Sequence, residues 1–412
     1  MITTTEKRND KFFINFAWEK DPEIRTLKIG LEDVFNGAYL ETMYVPLYKQ
    51  ACIYIGCGKR EEVDLLAVKE IFATIAAKCK VYKIKECSMD VSRFLTVFGS
   101  EAVVQIVLGL TLGSYSYSFH KEKEDQWQCT YQLENTEVVG TKEEINAYIK
   151  EGEALSQGIL FARDMTNTPG NHLRPMDFER AIQDYVKDCA IEVETMVYGQ
   201  LRAMGLEALY GVGGSSEYPP CLMILRYKGN SKSKDVYGLI GKGVTCDTGG
   251  YCLKGAKSMT GIKGDMAGAA AVVGAMRAIA TQMLCVNVTA CLPLCENRIS
   301  PSSHLPGDVI TSYSGKTIEI LNTDAEGRLI LADAISYGLK NEGITKVLDI
   351  ATLTGAAWST LGYTIAGAMA DDENFYNLFE NGLNNAAERY LRFPFYKEHE
   401  KMIQSDVADV KT

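Results

Sequence analysis

The sequence predicts an α/β protein of two domains, the second of which is built on a mainly parallel sheet. Short apolar runs alternate with helical patterns along the whole chain, and the helices are long enough to connect parallel strands. The 412 residues also exceed the roughly 250–300 at which a single core stops growing. Hydrophobic residues make up 46% of the chain and charged residues 23%, as in an average globular protein, so we expect a large core.

The first 140 residues or so carry one α/β pattern. The strand candidates are FFINFAW, CIYIGCG and VYKIK, and the helix candidates are residues 61–80 and 101–114. A polar stretch over residues 121–141 follows, and an amphipathic segment over residues 142–165 predicts a long helix. We therefore predict an N-terminal domain over residues 1–140, a linker helix over 141–165 and a second domain over 166–412.

Strand and helix patterns alternate again in the second domain. The strand candidates are IEVETMV, CLMILRYKG, VYGLIGKG, CVNVTACLP, KTIEIL and KVLDIATL, and the helix candidates are residues 266–282, 327–339 and 374–392. Strands separated by helices of this length indicate βαβ units and hence a mainly parallel sheet. Ligands of such sheets bind outside the carboxyl ends of the strands, so the loops there are the expected functional site.

Three polar loops follow predicted strands of the second domain. Residues 242–265 follow VYGLIG, residues 322–328 follow KTIEIL, and the TLTG turn follows VLDIA. From the first two loops we single out four carboxylates, two lysines and an arginine: Lys242, Asp247, Lys254, Asp265, Asp324, Glu326 and Arg328. Four carboxylates held close together take up protons unless cations lie among them, and a pair of divalent ions would balance their charge.

The spacing within these loops predicts how the side chains meet. Asp324 and Glu326 are two residues apart, and alternate residues of an extended segment point the same way, so we expect both to reach one site from an extended turn. The glycines of DTGG predict a sharp turn beside the ions. Gly327 predicts another sharp turn, before a helix that starts at Arg328.

Each piece taken alone has a structural alternative. An isolated DAEG is more often a helix cap, Asp265 precedes a helix that it would cap, and DTGG is an ordinary turn sequence. Lys242 at a strand exit is more often a solvated surface lysine. The residues alone leave both interpretations open, and the metal site is favoured only because all the loops fall at one predicted sheet edge.

Other chemistries lack their motifs. The sequence has no HExxH, GxSxG or GxxxxGK[ST] motif, and its four histidines lack metal-ligand spacing: His120, His172, His304 and His399. The net charge of −10 disfavours nucleic-acid binding. Because the N-terminus has no signal-peptide core and no apolar run reaches the roughly 18 residues of a membrane span, we expect a cytoplasmic protein without membrane attachment.

The twelve cysteines form no CxxC pair. Many lie in apolar runs, such as Cys52 in ACIYIGC and Cys285 in MLCVNV. We therefore expect reduced, buried thiols that pack as small hydrophobic groups.

Two long motifs resemble those of a known family. NTDAEGRLILADAISYG resembles the signature of the M17 leucyl aminopeptidase (cytosol aminopeptidase) family, and GKGVTCDTGG…LK…IKGDMAGAAAV resembles its companion motif. The resemblance continues through NTPGNHLRP, PLCENRISPSSHLPGDV and DIATLTGA, and it covers the first half only in outline. It implies a macro-like N-terminal α/β domain and an α/β/α catalytic domain. Family members continue beyond the point where this sequence stops, so we expect a C-terminal segment to be lacking.

The resemblance also implies a metal centre with two divalent ions per subunit, Mn²⁺ or Zn²⁺ or else Mg²⁺. Asp247, Asp324 and Glu326 would hold one ion. The other ion would be held by Lys242, Asp247, Asp265 and Glu326, with Lys242 neutral.

Catalytic and substrate-binding roles are implied for further residues. Lys254 would polarise the scissile carbonyl, and Arg328 would hold a bicarbonate that shuttles the proton. The implied substrate-binding residues are Ile262, Thr352, Leu353 and Gly355. Ile262 stands where the family often has a methionine, at a position that shapes the pocket for the first side chain, so the preference is expected to shift away from leucine. Cys246 stands where the family usually has an aromatic residue.

The implied function is that of a leucyl aminopeptidase-type metalloexopeptidase. A water activated by two metal ions would release the N-terminal residue of peptides, and the chain would assemble as a homo-hexamer. Two alternatives remain open at this stage. One is an inactive or regulatory family member, either a DNA-binding protein or a non-catalytic subunit, and the other is a cysteinylglycine dipeptidase with the same metal chemistry.

Overall fold

The computed structural model describes residues 1–6, 8–9, 11–20, 35–47, 50–119 and 127–412; His120 and most of the polar stretch before residue 127 lie outside them. The chain forms two compact units. The first comprises Met1–Ser156 and Leu378–Glu388, and the second Gln157–Asn377 and Arg389–Thr412. A helix over Lys142–Asn167 continues from the first unit into the second. The domain limits near residues 140 and 166 stay a prediction.

The first unit is built on a six-stranded sheet. Its strands are β1 (Ile2–Thr5), β2 (Phe12–Ala17), β3 (Thr42–Leu47), β4 (Gln50–Gly56), β5 (Glu86–Asp90) and β6 (Thr130–Glu134). Its helices are α1 (Leu65–Val81), α2 (Ser92–Phe98) and α3 (Ala102–Leu112), before the long helix α4 (Lys142–Asn167). The strand order is β1-β6-β5-β2-β4-β3, and every neighbouring pair is parallel except β3 with β4. The predicted α/β pattern of this half is therefore confirmed.

One strand prediction in the first unit is wrong. VYKIK was expected to form a strand, but α1 continues to Val81, and the chain then turns through Lys83, whose φ is +54°. The strand β5 begins only at Glu86. The reason is that the alternation in VYKIK spans too few residues to outweigh the preceding helix, which extends into its first residue.

The second unit contains the remaining elements. Its strands are β7 (Glu192–Val197), β8 (Cys221–Lys228), β9 (Tyr237–Gly241), β10 (Gly243–Asp247), β11 (Asn287–Asn297), β12 (Val309–Thr311), β13 (Thr317–Glu319), β14 (Lys346–Ile350), β15 (Ala366–Ala368), β16 (Tyr390–Arg392) and β17 (Val410–Lys411). Its helices are α5 (Pro175–Val186), α6 (Tyr198–Met204), α7 (Glu207–Gly213), α8 (Ala256–Met259), α9 (Ala267–Thr281), α10 (Glu326–Asn341), α11 (Gly355–Leu361), α12 (Glu373–Asn385) and α13 (Lys397–Met402). Residues 378–385 of α12 belong to the first unit.

The main sheet of the second unit lies between two helical layers. Its order is β14-β9-β11-β8-β7, and β10 continues the edge of β9 along β11. The pairings of β14, β9 and β10 are parallel, whereas β8 pairs antiparallel with β11 and β7. Leu222 and Ile224 of β8 pack in the core beside α7 and α10, and Met223 and Leu225 pack in the core beside α5 and α9. Successive strand residues thus face opposite layers, as the α/β/α arrangement requires.

Two predictions about the second unit are wrong. The helix expected over residues 374–392 ends at Asn385, where two asparagines follow one another, and Tyr390–Arg392 forms β16. KTIEIL does form a strand, β13, but this strand pairs with β12 and β17 in a separate three-stranded sheet. The loop after it therefore does not follow a strand of the main sheet.

All twelve cysteines are free thiols, and nine of them are buried. Cys52 is buried as expected. The expectation is wrong for Cys285, which is exposed because it lies in the turn between α9 and β11. Among the described helices, none combines the length and the apolar character that crossing a bilayer would require.

A buried carboxylate in α10 makes the stability of the fold depend on pH. Asp333 is 0% exposed and accepts hydrogen bonds from the backbone N–H of Leu209 at 3.0 Å and of Tyr313 at 2.7 Å. Burial raises the pKa of Asp333 from 3.8 to about 6, although the backbone N–H groups lower it. A carboxyl group whose pKa is raised by folding stabilises the native state when it is protonated. The contribution of Asp333 to the free energy of unfolding therefore declines as pH rises from about 4 to about 6.

We expect Asp333→Asn to remove this decline, because asparagine does not ionise. The quantity to compare is the change in the free energy of unfolding between pH 4 and pH 7. This change should be more favourable by roughly 2–3 kcal/mol in the variant than in the unmodified chain. Urea unfolding at several pH values measures the difference, and Asp371→Asn, at an exposed position, is the control. An equal pH dependence in the unmodified chain and Asp333→Asn would contradict the argument.

Candidate metal centre

Lys242 lies at the break between β9 and β10 and is buried. Its backbone N–H donates to Ile350 O at 3.1 Å, and its carbonyl accepts from Ala269 N at 2.9 Å, so the backbone joins the strand edge to β14 and α9. The side chain is 2% exposed, and its Nζ lies 2.7 Å from Asp265 Oδ2 and 2.9 Å from Glu326 Oε1. The interpretation of Lys242 as a solvated surface lysine is therefore wrong.

The two carboxylates keep Lys242 charged in the protein without metal. Burial lowers the pKa of the ammonium, but the charges of Asp265 and Glu326 outweigh this effect and raise the pKa above its usual value. The ammonium also donates to Thr352 O at 3.0 Å. The three acceptors come from separate parts of the chain: Asp265 lies just before α9, Glu326 is the first residue of α10, and Thr352 lies in the loop after β14.

A second lysine joins the other two carboxylates. Lys254 follows the DTGG turn, and its Nζ lies 2.7 Å from Asp247 Oδ2 and forms an ion pair with Asp324. Partial burial lowers the pKa of Lys254, but the hydrogen bonds to Asp247 and Asp324 raise it further than burial lowers it. The pair Asp247 and Asp324 thus accommodates a cationic group between them.

Asp324 and Glu326 are presented by helical backbone. Thr323–Ala325 form a 3₁₀ helix and α10 begins at Glu326, so the expected extended turn is wrong. Because helical backbone directs residues two apart to different sides, Asp324 reaches Lys254 while Glu326 reaches Lys242. Neither carboxylate caps α10, and the 3₁₀ helix is capped by the Asn322 side chain, which accepts from Asp324 N at 2.9 Å.

Asp265 is not a helix cap either. The residue before α9 is Met266, and no side chain caps that helix. The Asp265 carboxylate instead accepts from Thr352 Oγ1 at 2.8 Å through Oδ1. Its Oδ2 lies close to Lys242 Nζ but receives no well-directed hydrogen bond from any described group.

Three glycines make the close approach of these charges possible. Gly249 and Gly250 have φ values of +87° and +61°, which confirms the sharp turn expected of DTGG. Gly327 has a different role from the one predicted, because it lies inside the first turn of α10. A Cβ on Gly327 would lie 2.6 Å from Lys242 Cε and 2.8 Å from its Nζ, so the lysine packs where only glycine leaves room.

Asn297 is a member of the site that the sequence reasoning missed. It ends β11 and is 5% exposed. Its Nδ2 donates to Asp247 Oδ1 at 2.9 Å and to Thr323 O at 3.0 Å, and it lies 3.4 Å from Glu326 Oε2. One amide therefore orients two carboxylates of the cluster. The signal that could have found it is a polar run, ENR, directly after a long apolar strand.

Most of the other candidate residues do not contact the carboxylates of the cluster. Thr352 contacts both Lys242 and Asp265, as described above. Among the described residues, no hydrogen bond or ion pair joins the carboxylates to the remaining candidates, which are Ile262 (partly buried), Leu353 (42% exposed), Gly355 (exposed, at the start of α11) and Arg328 (exposed, in the first turn of α10). No histidine of the described part of the chain belongs to the cluster.

The residues present fit a pair of divalent cations. Asp247, Asp265 and Glu326 each offer a carboxylate oxygen, and these three atoms lie within 4.8 Å of one another. Four carboxylates face only two ammonium groups, so the cluster has a surplus of negative charge. Burial raises the pKa of Asp265 to about 7, although Lys242 lowers it, as expected where a carboxylate lacks sufficient positive charge. Carboxylate oxygens suit Mg²⁺, Mn²⁺ and Zn²⁺.

Comparison with known families matches both halves of the chain. The profile of the cytosol aminopeptidase family, catalytic domain, matches residues 160–412, and that of the same family's N-terminal domain matches residues 35–124. The probable cytosol aminopeptidase of Alkaliphilus metalliredigens is 36% identical over 92% of this chain and 77% of its own length. The probable cytosol aminopeptidase of Treponema denticola is 34% identical over 92% of this chain and 80% of its own length.

Two solved structures resemble this chain over nearly its whole length. The bottromycin maturation enzyme BotP superposes with a TM-score of 0.84 at 25% identity, covering 98% of this chain and 85% of that chain. Its structure in complex with Mn superposes with a TM-score of 0.85, covering 98% of this chain and 86% of that chain. The chain therefore belongs to the cytosol aminopeptidase family, and its enzyme class is that of an aminopeptidase.

Proposed function

We propose that this aminopeptidase depends on two divalent metal ions and hydrolyses the N-terminal peptide bond. Asp247, Asp324 and Glu326 would hold one ion. The other would be held by Lys242, Asp247, Asp265 and Glu326. When bound, the ions supply Lewis-acid polarisation of the carbonyl and a nucleophilic water, and bicarbonate supplies a proton acceptor.

One observation carries this proposal. Four carboxylates from three separate segments of the chain meet two lysines in a partly buried cluster, and the negative charge exceeds the positive. A purely structural cluster would be expected to balance its charges, because a buried charge without a partner strongly destabilises a fold. That BotP, a structural neighbour, has been solved in complex with Mn supports a dependence on metal.

Lys242 must lose a proton to become a metal ligand. The nearby carboxylates raise its pKa, so only a strong positive field, such as that of a divalent ion, would lower it enough. The proton would leave from Nζ, which would then offer its lone pair as a ligand beside the carboxylates of Asp265 and Glu326. Metal binding at this site should therefore release protons.

Lys254 and Arg328 would act on the substrate. With Asp247 and Asp324 engaged as metal ligands, the Lys254 ammonium would be free to donate from Nζ to the scissile carbonyl oxygen and to stabilise the negative charge that develops there. The guanidinium of Arg328 is exposed and lies two residues after Glu326. Its planar fork of N–H donors suits a planar anion such as bicarbonate, which it would hold beside the reacting water.

Substrate choice and assembly extend the proposal. The substrates would be peptides with a free N-terminal amine, and Ile262, Thr352, Leu353 and Gly355 would line the site for the first residue. Ile262 favours a first side chain other than leucine.

We also propose that the chain assembles as a homo-hexamer, which light scattering would detect. We propose in addition a cytoplasmic location, which the names of the relatives support.

The alternative functions differ in the substrates they would hydrolyse or in the surface charge they would require. A cysteinylglycine dipeptidase would hydrolyse Cys-Gly in preference to aminoacyl-p-nitroanilides under the same metal conditions. A DNA-binding regulator would require a positively charged surface, which the net charge of −10 disfavours. A non-catalytic subunit would hydrolyse none of these substrates.

Glu326→Gln tests the catalytic centre, because it removes one carboxylate charge next to Lys242. We expect kcat/KM for leucine-p-nitroanilide with added Mn²⁺ or Zn²⁺ to fall by more than about 100-fold, since groups outside the ligand shell alone are commonly worth 10–100-fold. Chelator treatment should abolish activity of the unmodified chain, and either ion should restore it.

The matched control for this experiment is Glu398→Gln, at an exposed position in α13. It should retain the activity of the unmodified chain. A folded chain that hydrolyses none of the aminoacyl or dipeptide substrates at any tested ion concentration would overturn the proposed function. Equal activity in Glu326→Gln would overturn the assignment of the site.

Gly327→Ala tests the packing of Lys242 without removing any charge. The added Cβ would collide with Lys242 Cε, so the ammonium must leave its place between Asp265 and Glu326. We expect the affinity for Mn²⁺, measured by isothermal titration calorimetry, to fall about tenfold or more. The melting temperature should fall as well.

Gly382→Ala in α12 is the control for this change, because a Cβ there meets nothing within 4 Å. Alanine at that helical position should leave the metal affinity unchanged and raise stability by up to about 1 kcal/mol. If Gly327→Ala bound Mn²⁺ as tightly as the control, the close packing would have no part in metal binding.

A further inference from the structure

Three cysteines meet in the core of the first unit. Cys79 lies in the last turn of α1, Cys87 is the second residue of β5, and Cys129 directly precedes β6. They are 0%, 0% and 6% exposed, and their Sγ atoms lie within 4.8 Å of one another. We call these three residues the cysteine cluster. Three separate elements thus direct their thiols to one point.

A phenol completes the group. Tyr131 lies two residues after Cys129, and alternate residues of a strand face the same side, so its ring lies on the cluster side of β6. Tyr131 is 5% exposed, and its hydroxyl oxygen is buried without a hydrogen bond to any group of the described chain. The hydroxyl lies beside the Cys129 thiol. The neighbour of this hydroxyl is therefore a thiol, which is a weak hydrogen-bond partner, so the phenol oxygen keeps the capacity to act as a further donor atom to an ion at this point.

Ordinary packing explains the other buried cysteines better than it explains these. Cys52 is also buried in the first unit, but it packs with aromatic residues in a separate core and belongs to no group of three potential ligands. Cysteine packs well as a small hydrophobic group on its own. It does not require two further thiols and a buried phenol at the same point.

We propose that the cysteine cluster, with the Tyr131 hydroxyl as fourth donor, binds one thiophilic ion, Zn²⁺. Three cysteine sulfurs supply three of the four donors of a tetrahedral zinc site, as in the type of structural site with three cysteines and one histidine, and the phenol oxygen would take the fourth position. At a Zn–S distance of about 2.3 Å, sulfurs of a tetrahedral site lie about 3.8 Å apart, so the thiols need to move together by only about 1 Å or less. Each coordinating thiol gives up its proton to solvent, and the site with three thiolates and Zn²⁺ carries one net negative charge.

This site would differ in role and chemistry from the carboxylate centre. The ion would tie the end of α1 to β5 and β6, and so would stabilise the first unit without contributing to hydrolysis. The proposed ligands of the carboxylate centre include no sulfur. A signal that arises from sulfur bound to metal therefore reports on the cysteine cluster even when the other centre is also filled.

Cobalt is the probe that separates the two centres. The reduced full chain, freed of metal by chelation, is titrated with Co²⁺ under anaerobic conditions, and the near-ultraviolet charge-transfer absorption from thiolate to cobalt is recorded. We expect a thiolate absorption that reaches its maximum by three equivalents of Co²⁺, because the carboxylate centre would take two ions, and whose final intensity corresponds to one thiolate-bound Co²⁺ per chain; excess Zn²⁺ should remove it. Cys87→Ala should abolish it, whereas Cys52→Ala, at a buried cysteine outside the cluster, should retain it.

The measurement on the unmodified chain decides the question even where a variant does not fold. Absence of the thiolate absorption from the folded unmodified chain overturns the proposal. Survival of the absorption in Cys87→Ala also overturns it, because the signal would then come from another thiol. Should Cys87→Ala not fold, Cys129→Ala at the slightly exposed edge of the cluster replaces it, with the same two outcomes.

Discussion

The burial of Lys242 between Asp265 and Glu326 is the interaction on which the second unit depends. A charged group can be taken out of water only when partners surround it, and here the partners come from the start of α9, the start of α10 and the loop after β14. The backbone of the same residue bonds to Ile350 and Ala269, so one position fixes the junction of strands and helices. The main sheet and the charged cluster are therefore joined at this one residue.

The same constraint explains residue choices that would otherwise be arbitrary. Gly327 is required because the lysine side chain crosses the first turn of α10. Asn297 is required because Asp247 and Glu326 would repel each other unless a donor lay between them. Lys254 offsets only one of the two negative charges of Asp247 and Asp324, so the cluster as a whole keeps excess negative charge. This excess of negative charge favours the binding of divalent cations.

The sequence predicts the layers better than it predicts the site geometry. Long apolar runs such as CLMILRYKG and CVNVTACLP were recognisable as strands, because a strand packed on both faces is apolar at nearly every position. β10 was missed because its residues lie within the polar loop that carries Asp247. The seven charged residues were identifiable from their loops, but the path of β13 into another sheet depends on pairing with β12 and β17, which no local pattern reveals.

The backbone conformation at the site also could not be predicted from the spacing of the residues. The spacing of Asp324 and Glu326 is compatible with an extended turn and with the start of a helix. The helix forms because the apolar residues of α10 pack against the main sheet. The divergence of the two carboxylates toward different lysines follows from that packing. In the first unit, the cysteine cluster could not be expected either, since Cys79, Cys87 and Cys129 have no motif spacing and meet only through the fold.

The central claim is that the carboxylate cluster is a two-ion centre in which metal takes over the contacts of the lysines. Anomalous diffraction from crystals grown with Mn²⁺ tests it most directly. The account predicts two manganese peaks per chain among Asp247, Asp265, Asp324 and Glu326, with Lys254 Nζ no longer paired to Asp324. Crystals with no manganese at these carboxylates, and with both lysines still in their ion pairs, would contradict it.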